Sequence, residues 1–212
     1  MLDKRIGIAA TLLVALAILA GCGAKEDKYR AHVVPVVTKI SERLKGAAAL
    51  TGGDPAQTIE RTTAILTDLA GLGADLKAIA PEGEKQQAIY AAGSAYLSAT
   101  HRFVTTQQEF ARAYARLEAA RVKVRESLEA KVRTSKFSMD FWKETHDRLL
   151  QDLDKVRTEN EKLRDRLVGD TGSAQQAADA TGAVLGKEAV IGPDILAAHR
   201  KALDAIPIHK GA

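Results

Sequence analysis

The chain has 212 residues, 31 of them Lys or Arg and 27 Asp or Glu, for a formal charge of +4, and 46% of its residues are apolar. That balance is too even for the electrostatic footprint of a nucleic-acid binder, so nucleic acid is not an expected partner. One cysteine leaves no internal disulfide, and four Phe, four Tyr and one Trp leave most of the core to aliphatic and alanine packing.

The first element is an amino-terminal segment with a polarity gradient. Lys4 and Arg5 precede fourteen uncharged residues, Ile6 to Leu19, and Leu19-Ala20-Gly21 then leads to Cys22, the single cysteine. This layout resembles a bacterial lipoprotein signal peptide with its lipobox. The resemblance implies removal of residues 1–21, a thioether-linked diacylglycerol on the Cys22 sulfur, and an acyl chain such as palmitate on the new amino terminus. The alternative is an uncleaved span over Ile6 to Ala24, nineteen uncharged residues where about 20 are typical. A span gives no reason for a lone cysteine at the end of the apolar run. One myristoyl chain binds a membrane only at about 10⁴ M⁻¹, and each further buried methylene adds roughly 0.8 kcal/mol, so two or three chains hold firmly. The mature chain would have 191 residues with 29 basic and 26 acidic side chains. Gly23, rather than Asp, follows Cys22; in Gram-negative lipoproteins that resemblance points to the outer membrane with the domain facing the periplasm. In a Gram-positive cell the domain would lie on the outer face of the only membrane.

Beyond the anchor, strand signals are absent and the period is helical throughout, so the expected fold is all-α, an elongated antiparallel helical bundle with coiled-coil-like long helices. Residues 22–27 read as a short polar tether. Helix 1 is expected from about Asp27 to Ala49, with Val33, Val36, Val37, Ile40 and Leu44 on one face and Pro35 near its first turns. Thr51-Gly52-Gly53 closes it, and Asp54-Pro55 opens helix 2 as N-cap and first helical residue, running to Pro81. In helix 3, Ile89, Tyr96, Phe103, Phe110, Leu117 and Val124 recur every seven residues. Each is followed three positions later by a small residue: Ala92, Ala99, Thr106, Ala113, Ala120, Ser127. Large alternating with small along a heptad seam lets a neighbouring helix approach closely.

A second seam, from Leu128 through Trp142, His146, Leu149, Leu153, Val156, Asn160 and Leu163 to Leu167, keeps the four-three alternation. Residues 84–168 are therefore either a hairpin turning near Thr134 to Ser138 or one helix of about 128 Å. The hairpin is the favoured reading. Residues 169–192, rich in Gly, Ala, Thr, Ser and Gln, read as a flexible linker or a weakly packed helix, and residues 193–206 as a last helix opened by Gly192-Pro193. The bundle proper is expected over residues 27–168.

Chemistry-bearing motifs are few. No Glu is followed three residues later by His, as a di-metal carboxylate bundle needs, and the His-Glu-x-x-His, phosphate-loop and Gly-x-Ser-x-Gly patterns are absent. With Cys22 lipidated no thiol nucleophile remains, so no catalytic residue, metal ligand or cofactor is expected beyond the acyl groups on Cys22. The candidate partner contact is a run of basic residues, Arg112, Arg116, Arg121, Lys123, Arg125, Lys131, Arg133 and Lys136, interleaved with four acids. It would meet anionic lipid, a glycan polymer or an acidic partner protein, or else form a solvated face with i,i+4 ion pairs. Trp142, His146 and Asn160 are the polar-capable residues of the second seam. His146 would be a pH-sensitive or ligating group, or else a hydrogen-bonded residue at an open bundle end. Asn160 would be a register-fixing buried amide, or else face water. The function expected is that of a noncatalytic, lipid-anchored cell-envelope protein that presents its bundle to a protein partner. A ligand-binding bundle with a pocket of Tyr90, Tyr96, Phe103 and Trp142 is the alternative, and a metal-dependent enzyme a distant third.

Overall fold

A computed structural model describes residues 3–131 and 139–208, with side chains from Lys25 onward. Five helices account for nearly all of it: α1 (Asp3–Ala48), α2 (Pro55–Ala78), α3 (Glu84–Lys131), α4 (Met139–Leu185) and α5 (Pro193–Asp204), with a 3-10 turn at Lys187–Ala189 before α5. No strand occurs among the described residues. The fold is an all-α bundle in which α3 and α4 pack along each other as the longest pair.

The turn between α1 and α2 follows from local chemistry. Gly52 takes φ +78°, a backbone region that a side chain disfavours, and Asp54 accepts the Ala56 N–H at 3.2 Å while Pro55 begins the helix. The start of α1 differs from the expectation. The helical backbone runs through residues 22–27, so the segment read as a tether continues the helix and Pro35 lies in the interior rather than near the first turn. A proline there leaves the carbonyl four residues back without its helical partner. The side chain of Cys22 lies outside the described residues.

Two contacts to α3 and one to the end of α2 fix the direction of α1. Lys85 pairs with Glu26 at 3.4 Å, Tyr29 donates its hydroxyl to the Ile79 carbonyl at 2.9 Å, and Gln107 donates to the Ala47 carbonyl at 2.8 Å. Thus α1 and α3 run in the same direction, with α2 returning between them. Five further bonds run α4 back along α3: Thr181 to the Ala92 carbonyl, Thr106 to Asp170, Asn160 to the Ala113 carbonyl, Arg116 to Glu159, and Trp142 to the Ser127 carbonyl. Residues 84–168 are therefore a hairpin and not a single continuous helix; the proposed turn residues 134–138 lie outside the described residues.

All six large residues of the first seam are buried, Tyr96 and Phe103 completely. Of the two readings for residues 169–192, a helix rather than a flexible linker is found up to Leu185, and it is well packed. From residue 169 α4 runs on to Leu185 and buries Asp170, Thr171, Ala174, Ala178, Thr181 and Gly182. Only small side chains fit there, because the bonds Thr106–Asp170 and Thr181–Ala92 bracket the stretch of α3 that carries Tyr96 and Phe103. At Gly182 an added methyl group would sit 3.0 Å from Val190 Cγ2, so the Val190 side chain would have to give way by a few tenths of an ångström.

Burial ends abruptly toward the hairpin tip. Between Val124 and Leu153 no described residue is buried, so there α3 and α4 stand alone as a two-helix arm. From Lys85, which pairs with Glu26 at the amino-terminal end of the bundle, to Lys131 the helix advances about 69 Å.

Candidate functional site

The residues from 112 to 160 that the sequence singled out do not form one site. Of the eight basic residues, Arg112, Lys123 and Arg125 are exposed on α3, and Arg116 is held by Glu159 of α4 at 2.6 Å. Lys131 places its ammonium 4.9 Å from the centre of the Trp142 ring, a cation–π contact across the hairpin. Arg133 and Lys136 lie outside the described residues.

Arg121 departs most from the surface role. It is 7% exposed and donates to the carbonyls of Pro207 and Ile208 at 2.7 and 2.8 Å, with Glu118 on its other guanidinium edge at 2.5 Å. It clamps the segment after α5 onto the bundle and is not available to a partner. Its guanidinium meets two carbonyls 86 and 87 residues away, a pairing with no local sequence signal. Charge-assisted bonds of this kind contribute roughly 1.5–3 kcal/mol each at most. Arg121→Ala should lower stability by about 2–3 kcal/mol, and limited proteolysis should then cut within residues 205–208 before the rest of the chain.

Trp142 and His146 build a small polar cap on the arm. The Trp142 indole N–H donates to the Ser127 carbonyl at 2.8 Å, His146 Nδ1 lies 3.2 Å from Ser127 Oγ, and the two rings stack at 4.8 Å and 15°. Both are half-buried, so His146 sits hydrogen-bonded at the open end of the seam. Asn160 is fully buried, and its amide donates to the Ala113 carbonyl on α3 and to Val156 on its own helix at 3.0 and 2.9 Å. A one-residue slip between α3 and α4 would break the cross-helix bond and strand a buried amide, so Asn160 fixes the register.

The proposed aromatic pocket does not assemble. Tyr96 and Phe103 are packed in the core, Trp142 belongs to the arm, and Tyr90 lines an open groove between α2 and α3. A separate cleft of about 310 Å³ opens where the α1–α2 turn faces α3 and the segment after α5, with walls that include Leu50, Pro55, Phe110, Tyr114, Leu203 and Ile206. That volume is at the lower edge of the range for small-molecule pockets. Among the described residues no three His, Cys, Asp or Glu side chains gather as a metal set.

One residue of chemical interest went unremarked in the sequence. His199 on α5 is 2% exposed, lies against Phe103 with ring centres 4.8 Å apart, and has Nδ1 3.4 Å from Thr171 Oγ1. Burial, with the neighbouring Arg200 charge adding to it, pushes its pKa down to about 4. It serves as a neutral core residue joining α5 to the α3–α4 pair. A signal existed: Leu196, His199 and Leu203 fall on one helical face at spacings of three and four.

Neither the family models nor the curated proteins nor the solved structures contain a significant match to this chain.

Proposed function

We propose that this is a lipid-anchored cell-envelope protein that carries a helical arm away from the membrane for contact with another protein. The carrying observation is the sequence Leu19-Ala20-Gly21-Cys22 at the end of a charge-free run, with the single cysteine of the chain at its close. The layout of the bundle supports the reading. The described part of α1 nearest Cys22 packs at the end of the molecule where α3 begins, and the arm lies at the opposite end, so an anchor at Cys22 would hold the arm tens of ångströms from the lipid surface. Of the four large apolar side chains left exposed among the described residues, Leu128, Phe141 and Leu150 belong to the arm and Val122 stands at its base.

In cells given a labelled fatty acid, the wild-type chain should take up label and sediment with the membrane fraction. Cys22→Ser should lose the label and keep its unprocessed amino terminus. Label-free wild-type protein in the soluble fraction would overturn the reading. Gly23 after the cysteine makes the outer membrane, periplasmic face, the expected address in a Gram-negative cell.

The cleft beside the α1–α2 turn favours a second reading, a ligand-carrying lipoprotein that takes a small apolar molecule between Phe110, Tyr114 and Leu203. Retention of a stoichiometric small molecule through purification, detected by native mass spectrometry, would favour it over a purely structural bundle.

A further inference from the structure

We infer that the cleft beside the α1–α2 turn takes an uncharged small molecule with an apolar body and one hydrogen-bond donor, a hydroxyl or an N–H, and seats that donor on Gln107 Oε1. The inference rests on the ligand-carrying reading and gives its ligand a chemical class.

The floor of the cleft is one face of α3. Gln107, Phe110, Ala111 and Tyr114 follow one another at helical spacing and span about 10 Å. The rings of Phe110 and Tyr114 stack with centres 6.2 Å apart and planes at 29°, so much of that floor is aromatic. Two of the facing walls lie outside the helices: residues 51–53 of the α1–α2 turn and residues 205–207 after α5. The helical floor is a fixed base, whereas walls of this kind yield to a ligand.

Polarity selects the ligand. Of the described residues that line the cleft only Tyr114 is ionisable, and burial, followed by the nearby Glu118 charge, pushes its pKa up, so it stays a neutral phenol. No lining charge would compensate a carboxylate, a phosphate or an ammonium group, and stripping water from any of these is costly. The cleft holds a surplus of acceptors instead. Gln107 is 3% exposed, and its Nε2 donates to the Ala47 carbonyl at 2.8 Å. That bond fixes the other end of the amide as oxygen, and this Oε1 has no hydrogen-bond partner. The last turns of α1 and α5 both end at the cleft, and helix carboxy termini add carbonyl oxygens rather than N–H groups. A buried acceptor left unpaired costs free energy, and a ligand that donates to it recovers that cost. Surrounding atoms cover Oε1, so the donor reaches it as residues 51–53 or 205–207 give way. A purely apolar molecule would fill the same space without that gain.

Titration calorimetry on the full-length lipidated chain in lipid nanodiscs, with empty nanodiscs subtracted, tests this with three probes. Indole and benzofuran share one shape and only indole has an N–H, while indole-3-acetate adds a carboxylate. Indole should bind about fivefold more tightly than benzofuran, the worth of one net hydrogen bond, and indole-3-acetate more weakly than either. Gln107→Leu should bring indole and benzofuran to the same affinity. Ala202→Phe, which fills the cleft from α5, should weaken both by roughly tenfold or more. Equal affinity of the two on wild-type protein, with Ala202→Phe still weakening both, would overturn the donor inference and leave the ligand-carrying reading standing. An indole preference that survives Gln107→Leu would overturn the assignment to Gln107, and tightest binding of indole-3-acetate would overturn the uncharged class. If neither indole nor benzofuran binds, or if Ala202→Phe leaves their binding unchanged, the ligand-carrying reading itself fails. Because Gln107 also holds the Ala47 carbonyl, its substitution can disturb folding; the comparison of probes on wild-type protein then decides alone.

Discussion

Phe103→Ala is expected to lower the free energy of unfolding by about 3–5 kcal/mol, a large share of what holds a domain of this size together. Phe103 has no exposed surface, stands in the middle of the six-residue seam of α3, and packs against His199 on α5. Its removal leaves a cavity where α3, α4 and α5 meet, and the surrounding side chains can relax only in part. The neighbouring polar groups make the cavity costlier. Thr106–Asp170 and Thr171–His199 are bonded side chains within a turn or so of Phe103, and water admitted beside them would compete for those bonds. Urea unfolding followed by circular dichroism should show a lower midpoint with an unchanged slope. Leu128→Ala on the arm, measured in the same way on dilute protein, should change stability by less than about 0.5 kcal/mol because the side chain is already half in water. Equal losses from the two substitutions would contradict the assignment of body and arm.

The second large effect is on acid stability. His199 is held neutral in the fold, with its pKa lowered from 6.5 to about 4. The unfolded chain therefore binds a proton more readily than the native one, and stability rises with pH wherever this is so. The contribution is complete above about pH 6.5 and is lost as pH falls from 6.5 toward 4, by roughly 3 kcal/mol in total. Substitution of His199 by Leu, a residue of similar bulk without a proton to gain, should flatten this part of the profile. The comparison needed is the urea midpoint at pH 7.5 and at pH 4.5 for both proteins. If the wild type and His199→Leu lose stability in parallel, the histidine is not the origin of the loss. Hydrogen exchange at pH 5 should locate the first opening in α5, because His199 ties that helix to α3 and α4.

What the sequence disclosed, and what it hid, divide along physical lines. The seam of α3 was legible because Ile89 to Val124 repeat at seven and every member is buried by the same kind of neighbour. Asn160 was legible as a seam amide for the same reason, although its bond to the Ala113 carbonyl needed the fold. After residue 168 a helix was legible only as an alternative to a linker, and its close packing was missed, because hydrophobic periodicity counts large side chains. Opposite Tyr96 and Phe103 the complementary surface is made of Thr171, Ala174, Ala178 and Gly182, whose burial carries no hydropathy signal. Arg121 was grouped with surface charges because its carbonyl partners lie more than eighty residues away, and composition cannot reveal such a pairing. The arm was legible as a place, the interval around the expected turn. Its isolation was not, since Leu149 and Val156 continue the heptad pattern whether or not other helices pack on it.

The clamp of Arg121 on the carbonyls of Pro207 and Ile208 also sets an order of events. Ile208 is completely buried, and α5 supplies the ring that covers Phe103. A chain emerging amino end first, as any translated or threaded polypeptide does, can form the α1–α2 and α3–α4 hairpins from local contacts, yet its centre stays open until residues 193–208 arrive. The last stretch to appear is the one that seals the core. Until then the centre around Phe103 lacks the His199 ring and the Arg121 clamp that close it.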